Sequence, residues 1–211
     1  MRILALALLL LATACTTPEP GTPSKDPFLS GPLTFRKVEG EAVPTAQSPT
    51  SYPVPQHDAD NPAVTEAKAV RQPTDPAARK HLLETFDCTA RDPLLGHDDR
   101  NLPLVTCDAG EFRYDLGPVF LDGDRIMKAT ANPDPNSTGH HTVTIEFDPQ
   151  GAKTFGDFTA ANIGSRIAIL VNGRVLSAPT IQSAIPGGVV NIAGRLTKDQ
   201  ADQLAAQLNG S

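Results

Sequence analysis

Residues Asn162 to Ile181, NIGSRIAILVNGRVLSAPTI, constrain the fold of this chain more than any other stretch. They combine an apolar run, a two-residue turn and a second run closed by Ser177-Ala178-Pro179. Asn172-Gly173 suits the two positive-φ positions of a type I′ hairpin, because Gly has no Cβ to clash there and Asn tolerates the left-handed region. The turn fixes the register of the pair. Ile167 to Val171 offers no polar residue to either face, so both faces need cover and the strand belongs inside a sheet.

The rest of the chain supplies partners for that hairpin. Thr142 to Phe147 alternates, with Val143, Ile145 and Phe147 inward and Thr142, Thr144 and Glu146 outward. Leu33 to Val38 gives a half-buried strand signal, and Leu104 to Cys107 and Phe112 to Leu116 read as short strands or extended segments. Pro118 to Leu121 and Ile126 to Ala131 follow, separated by the turn Asp122-Gly123-Asp124, and Val189 to Ile192 follows the turn Pro186-Gly187-Gly188.

Three helices are predicted. Asp75-Pro76 supplies an N-cap and a proline at the first helical position, ahead of Leu82, Leu83 and Phe86 on one face running to Cys88. Asp148-Pro149 repeats the device before Ala152, Phe155 and Thr159. Thr197-Lys198-Asp199-Gln200 is a capping box, Ala201, Leu204, Ala205 and Leu208 fall at helical spacing, and Asn209-Gly210 ends the helix. Strands outnumber helices, so the expected class is α+β, a mainly antiparallel sheet with helices packed on one face.

The N-terminus carries a different signal. Met1 and Arg2 precede the apolar run Ile3 to Leu11, too short to span a bilayer, and small residues lead to a cysteine. Leu11-Ala12-Thr13-Ala14-Cys15 resembles a lipobox, with Leu one place earlier than usual; the alternative is ordinary cleavage that releases a soluble protein. Eleven of the 20 prolines lie between Thr16 and Pro73. The expected organisation is a signal peptide over 1–14 and a lipid-anchor tether over 15–29. A strand plus a long Pro-rich flexible insertion, irregular from Glu39 to Pro73, fills 30–73, and the α+β domain fills 74–211. With Cys15 assigned to lipid, Cys88 and Cys107 remain as an even pair in an oxidising compartment. Bridged, they close a loop of about twenty residues, worth about 3 kcal/mol; unbridged, they are two buried thiols.

Chemistry-bearing constellations are weak. Net charge is -6 with no basic run, which argues against nucleic acid as a partner. Asn132, Asp134 and Asn136 have the first spacings of a calcium loop, but Ser137 and Val143 stand where Gly and Glu are needed, so no metal is expected. His140 and His141 are adjacent at a strand start and point to opposite faces. His57-Asp58 and His97-Asp98-Asp99 place carboxylates beside histidines without a nucleophile elbow or a zinc-binding helix. No phosphate-cradling glycine loop occurs, so no cofactor and no catalytic residue are assigned.

An ordered set of motifs resembles the head of the first extracytoplasmic domain of the SecD and SecDF protein-export membrane proteins. It runs from Tyr114 to Leu208 through Leu116-Gly117-Pro118-Val119, Asp122-Gly123-Asp124 with Ala129, the strand to Phe147, and Gly151-Ala152 with Phe155. It continues through Thr159, Asn162-Ile163-Gly164, the Asn-Gly hairpin, Ser177-Ala178-Pro179 with Ile181, Gly187-Gly188 and Gly194 to the closing helix, while Leu33 to Val38 resembles the LxFRxV strand preceding that head. The resemblance implies a soluble module on the outer face of the membrane that contacts emerging polypeptide. Because SecD continues into a transmembrane bundle and this sequence ends at Ser211, the expectation is a stand-alone head on a lipid tether, without the proton-coupled part. The function expected is therefore non-enzymatic binding of exported polypeptides or assistance to the Sec translocon. The alternative is an envelope lipoprotein that keeps the fold but binds a small ligand or cell-wall component.

Overall fold

The apolar run Ile167 to Val171 is buried along its whole length and divides its side chains between two cores. The computed structural model describes residues 26–43, 60–88, 92–109 and 112–210. The predicted signal peptide, Cys15 and the part of the predicted insertion at 44–59 lie outside them. The strands are β1 (Leu33–Ala42), β2 (Leu104–Cys107), β3 (Arg113–Asp122), β4 (Ile126–Pro133), β5 (His141–Phe147), β6 (Ile167–Val171), β7 (Arg174–Ser177) and β8 (Val189–Leu196). The helices are α1 (Pro62–Arg71), α2 (Pro76–Thr85), α3 (Pro149–Ala161) and α4 (Lys198–Asn209). Every strand pair is antiparallel, in two sheets ordered β2-β3-β1-β6-β7 and β4-β5-β8. The fold is α+β, as the sequence implies.

In β6, Ile167, Ile169 and Val171 face the larger core, and Ala168 and Leu170 face the smaller one. Its neighbour β1 does the same: Leu33 and Phe35 enter the larger core while Val38 packs against the smaller. The larger core lies between the two sheets and takes Phe155 from α3 and Leu204 and Leu208 from α4. Phe35 is its centre, with Phe147 at 5.5 Å and Phe155 at 5.8 Å, both edge-on. The smaller core is closed by Val64 of α1 and by Leu94.

The hairpin turn has the predicted geometry, with φ of 54° at Asn172 and 77° at Gly173. It is not a solvent-exposed tip. Asn172 donates its N–H to the Pro32 carbonyl, accepts from the Gly96 N–H at 3.0 Å, and is 9% exposed. A Cβ at Gly96, whose φ is +76°, would meet the Asn172 Oδ1 at 2.3 Å, so that position takes glycine for both reasons.

Three sequence expectations change. Glu39 to Pro73 is not wholly irregular, because Pro62 to Arg71 is helical. Asn61 accepts from the Ala63 N–H at 2.9 Å and Pro62 sits in the first turn, the device also used at Asp75-Pro76 and Asp148-Pro149. The second helix ends at Thr85 rather than Cys88, since Phe86 is already extended. The segments Phe112–Leu116 and Pro118–Leu121 belong to one strand, β3, whose register against β1 shifts around Gly117-Pro118. A bulge absorbs the missing proline donor there.

Cys88 and Cys107 form a disulfide with Cα atoms 5.9 Å apart, fastening the segment after α2 to β2. Replacing both by Ala is expected to lower unfolding stability by about 3 kcal/mol, read from denaturant melts of the oxidised parent and the variant. Phe35→Ala, which empties the centre of the larger core, is expected to cost about 3–5 kcal/mol in the same assay.

Candidate functional site

Asp98 and Asp99, the carboxylates beside His97, are engaged in holding the fold. Arg36, the arginine of the Leu33–Val38 strand, is fully buried. Its Nη1 donates to the carbonyls of Leu102 and Gly117, each at 2.8 Å, and its Nη2 donates to Asp98 Oδ2 at 2.6 Å and to the Asp99 carbonyl at 3.3 Å. Burial pulls the Arg36 pKa below its ordinary value, and the Asp98 carboxylate opposes that shift. Gln72 completes the clasp, donating to the Asp99 carbonyl and accepting from the Asp99 N–H, both at 2.8 Å. A buried guanidinium with several acceptors is a clamp on the 98–103 loop, and removing one partner would strand the others.

Arg71 continues the pattern, donating from Nε to the Val105 carbonyl at 2.8 Å and pairing with Asp92. Arg79 meets Asp115 through Nε at 2.9 Å; burial raises the Asp115 pKa and Arg79 works against the rise. These ion pairs join α1, α2 and the loops to the five-stranded sheet.

The other polar candidates also serve local structure. Asp134 accepts from the Asn136 N–H at 2.8 Å and caps the β4–β5 turn. Among the described residues, no group of three or more His, Cys, Asp or Glu is placed to hold a metal. His140 and His141 are half-buried at the start of β5, and Asp122 pairs with Arg100. His57 and Asp58 lie outside the described residues, as does Cys15.

What stays open is the three-stranded sheet. Its inner face, with Ala129, Val143, Ile145 and Ile192, belongs to the larger core. Its outer face carries three cross-strand rows: Lys128, Glu146 and Val189; Thr130, Thr144 and Asn191; Asn132, Thr142 and Ala193. Thr144 Oγ1 donates to Asn191 Oδ1 at 2.6 Å, Asn132 Nδ2 donates to Thr144 Oγ1 at 3.0 Å, and Lys128 pairs with Glu146 at 3.0 Å. These links join the three strands through polar side chains on that face. The large apolar side chains left exposed include Met127 and Val189, on the two outer strands of this sheet.

Helix α4 packs along β4 and uses side-chain amides as surrogate peptide units. Asn209 donates from Nδ2 to the Ala129 carbonyl at 2.9 Å and accepts the Ala129 N–H on Oδ1 at 2.8 Å. Gln203 does the same at Asp26, with both bonds at 2.7 Å, and Gln200 donates to Asp26 Oδ2 at 3.0 Å. A groove beside these contacts is lined by Asp26, Ser30, Asp199, Asp202, Gln203 and Ala206. It is open rather than enclosed, and most of its lining residues carry polar side chains, unlike the enclosed apolar pocket that small ligands need. Neither amide pairing was legible beforehand: the sequence marks Asn209 only as a helix terminator, and a side chain bonding a strand 80 residues away leaves no local pattern.

Comparison with known proteins shows what this chain is similar to. SecD of Mycobacterium tuberculosis (strain ATCC 25618 / H37Rv) is 37% identical over 134 residues, covering 62% of this chain and 23% of that protein. SecDF of Thermus thermophilus is 42% identical over 94 residues, covering 44% of this chain and 12% of that protein. The chain thus spans less than a quarter of the length of these relatives. A solved structure, described as that of "a membrane component SecDF that enhances protein export", is 27% identical. It covers 92% of this chain and 72% of that one with a TM-score of 0.49. Residues 105–211, just over half of the 211, match the family model described as "SecDF, P1 head subdomain", and the chain belongs to that family.

Proposed function

We propose that this chain is a non-enzymatic extracytoplasmic binding domain, tethered to the membrane by lipid at Cys15, that contacts exported polypeptides and assists Sec-dependent translocation. The observation that carries the reading is the three-stranded sheet, polar on its outer face and with an exposed strand, β8, at one margin, in a chain of the SecDF head family. Extended polypeptide suits such a surface, because main-chain hydrogen bonds and shallow side-chain contacts need no cavity and little sequence match. A small ligand or cell-wall component is less well served, since the groove beside α4 is open rather than enclosed and its amides already bond the chain itself. A non-enzymatic role is supported by Asp98, Asp99 and Asp115, whose groups are engaged by Arg36, Gln72 and Arg79. The membrane tether is supported by the run ending at Cys15; no helix among the described residues is long and apolar enough to cross a membrane.

A photoreactive amino acid at Thr130 or Asn191, activated in cells during export, is expected to form adducts with secretory chains or Sec components. A third site at Lys80, on the exposed side of α2, is expected to form none. Absence of such adducts from both sheet positions would remove the polypeptide reading. Lipid attachment is checked separately: Cys15→Ser is expected to abolish incorporation of labelled fatty acid and release the protein from the membrane fraction.

A further inference from the structure

The two margins of the three-stranded sheet differ. Phe147 donates its N–H to the Gly188 carbonyl at 2.9 Å, which makes that pair a hydrogen-bonded one. Antiparallel ladders alternate, so Val190 and Ile192 direct their backbone groups at β5, and Val189, Asn191 and Ala193 direct theirs away from it. On the opposite margin, Thr144↔Thr130 and Glu146↔Lys128 face each other, which turns the backbone of Ala129 outward. That is where the Asn209 carboxamide bonds both the N–H and the C=O of Ala129. One margin is therefore closed by an internal mimic of a peptide unit.

The β8 margin has no equivalent. Val189, Asn191 and Ala193 are all exposed, and among the described residues none has a backbone partner beyond the β5 ladder. Past Ala193 the margin is lost, because Gly194 comes beside the Leu176 carbonyl of β7. The usual protections of an edge, a lysine, a proline or an inward charge, are missing from Val189 to Ala193, whereas β4 has Lys128, Pro133 and the Asn209 plug.

We propose that the outer edge of β8, from Val189 to Ala193, is the seat at which an extended segment of unfolded polypeptide adds as a further strand, while Asn209 confines such addition to that side. The proposal rests on the reading of the chain as a polypeptide-binding head and specifies its mode. The chemistry of the edge selects the occupant. The side chains next to an added strand on the outer face would be Val189, Asn191 and Ala193, none of them charged. Recognition then comes from main-chain bonds and tolerates variation in side chains, as a partner of many sequences requires.

Amide hydrogen exchange on the intact chain, with reduced and carboxymethylated unfolded polypeptide as the probe, tests this. The probe is expected to slow exchange at Val189, Asn191 and Ala193 by about tenfold or more and to leave Ala129 unchanged. Ala193→Pro removes an outward N–H without breaking the β5 ladder, and is expected to weaken probe binding about tenfold. Asn209→Ala is expected to speed exchange at Ala129 and to give new probe-dependent protection there. Binding of the probe with no protection on β8 overturns the edge assignment and leaves the polypeptide-binding reading standing. A probe that does not bind overturns both. Protection of β8 that rises with protein concentration in the absence of probe gives the edge to a second copy of the chain and overturns the proposal.

Discussion

The antiparallel pairing of β1 with β6 is the constraint on which the other contacts rest. Leu33 pairs with Val171, Phe35 with Ile169 and Lys37 with Ile167, and the alternation of these strands sends one set of side chains to each of two cores. A slip of one residue would exchange the sets and drive Arg36 into the aromatic cluster around Phe35. Register is held at one end by the Asn172 N–H on the Pro32 carbonyl and at the other by the Val38 N–H on the Arg166 carbonyl. The hairpin turn is therefore a structural anchor, and the surface proposed to bind polypeptide lies elsewhere, on the second sheet.

Arginine and amide side chains do in this molecule what additional hydrophobic burial does in larger ones. Helix α2 has no buried residue, and its attachment runs through Arg79 to Asp115 and through Arg113 to the carbonyls of Glu84 and Phe86. The Arg36 clamp secures the 98–103 loop in the same manner. Arg36 and Arg113 are themselves buried, so the cost of their desolvation is offset only while their acceptors stay in place. Asp98 and Asp99, which stand beside His97 in the sequence, are thereby committed to architecture.

Patterns that depend on a residue and its near neighbours were legible in the sequence. The β5 alternation, the Asn-Gly turn, the Thr197–Gln200 capping box and the pairing of the two cysteines left after Cys15 all rest on short-range geometry or simple parity. Helix α1 carried the same cap and proline as two predicted helices, yet its apolar face is only Val64 with Ala67, and Arg71 and Gln72 are buried through hydrogen bonds instead. Alternation assigns faces and does not name partners, so the division of eight strands into two sheets was beyond it. The candidate site was least legible of all. It is defined by which backbone groups of β8 lack a neighbour and by an asparagine that fills the equivalent place on β4.

The Gln203 pairing at Asp26 has a mechanical meaning. Tension applied on the N-terminal side of Asp26 meets first the amides of Gln200, Gln203 and Gln207, which grip Asp26 and Gly31 from the surface of α4. Beyond Pro32 the same pull reaches β1, a central strand bonded along both sides, where many bonds must shear together. The stretch from Asp26 to Gly31, held by these amides and by the buried Leu29, is thus the first resistance such a load meets, ahead of the doubly bonded strand. A few amide bonds and one buried leucine thus stand in series with a strand bonded along both sides, which puts the smaller resistance to a pull at the attachment and the larger one in the sheet.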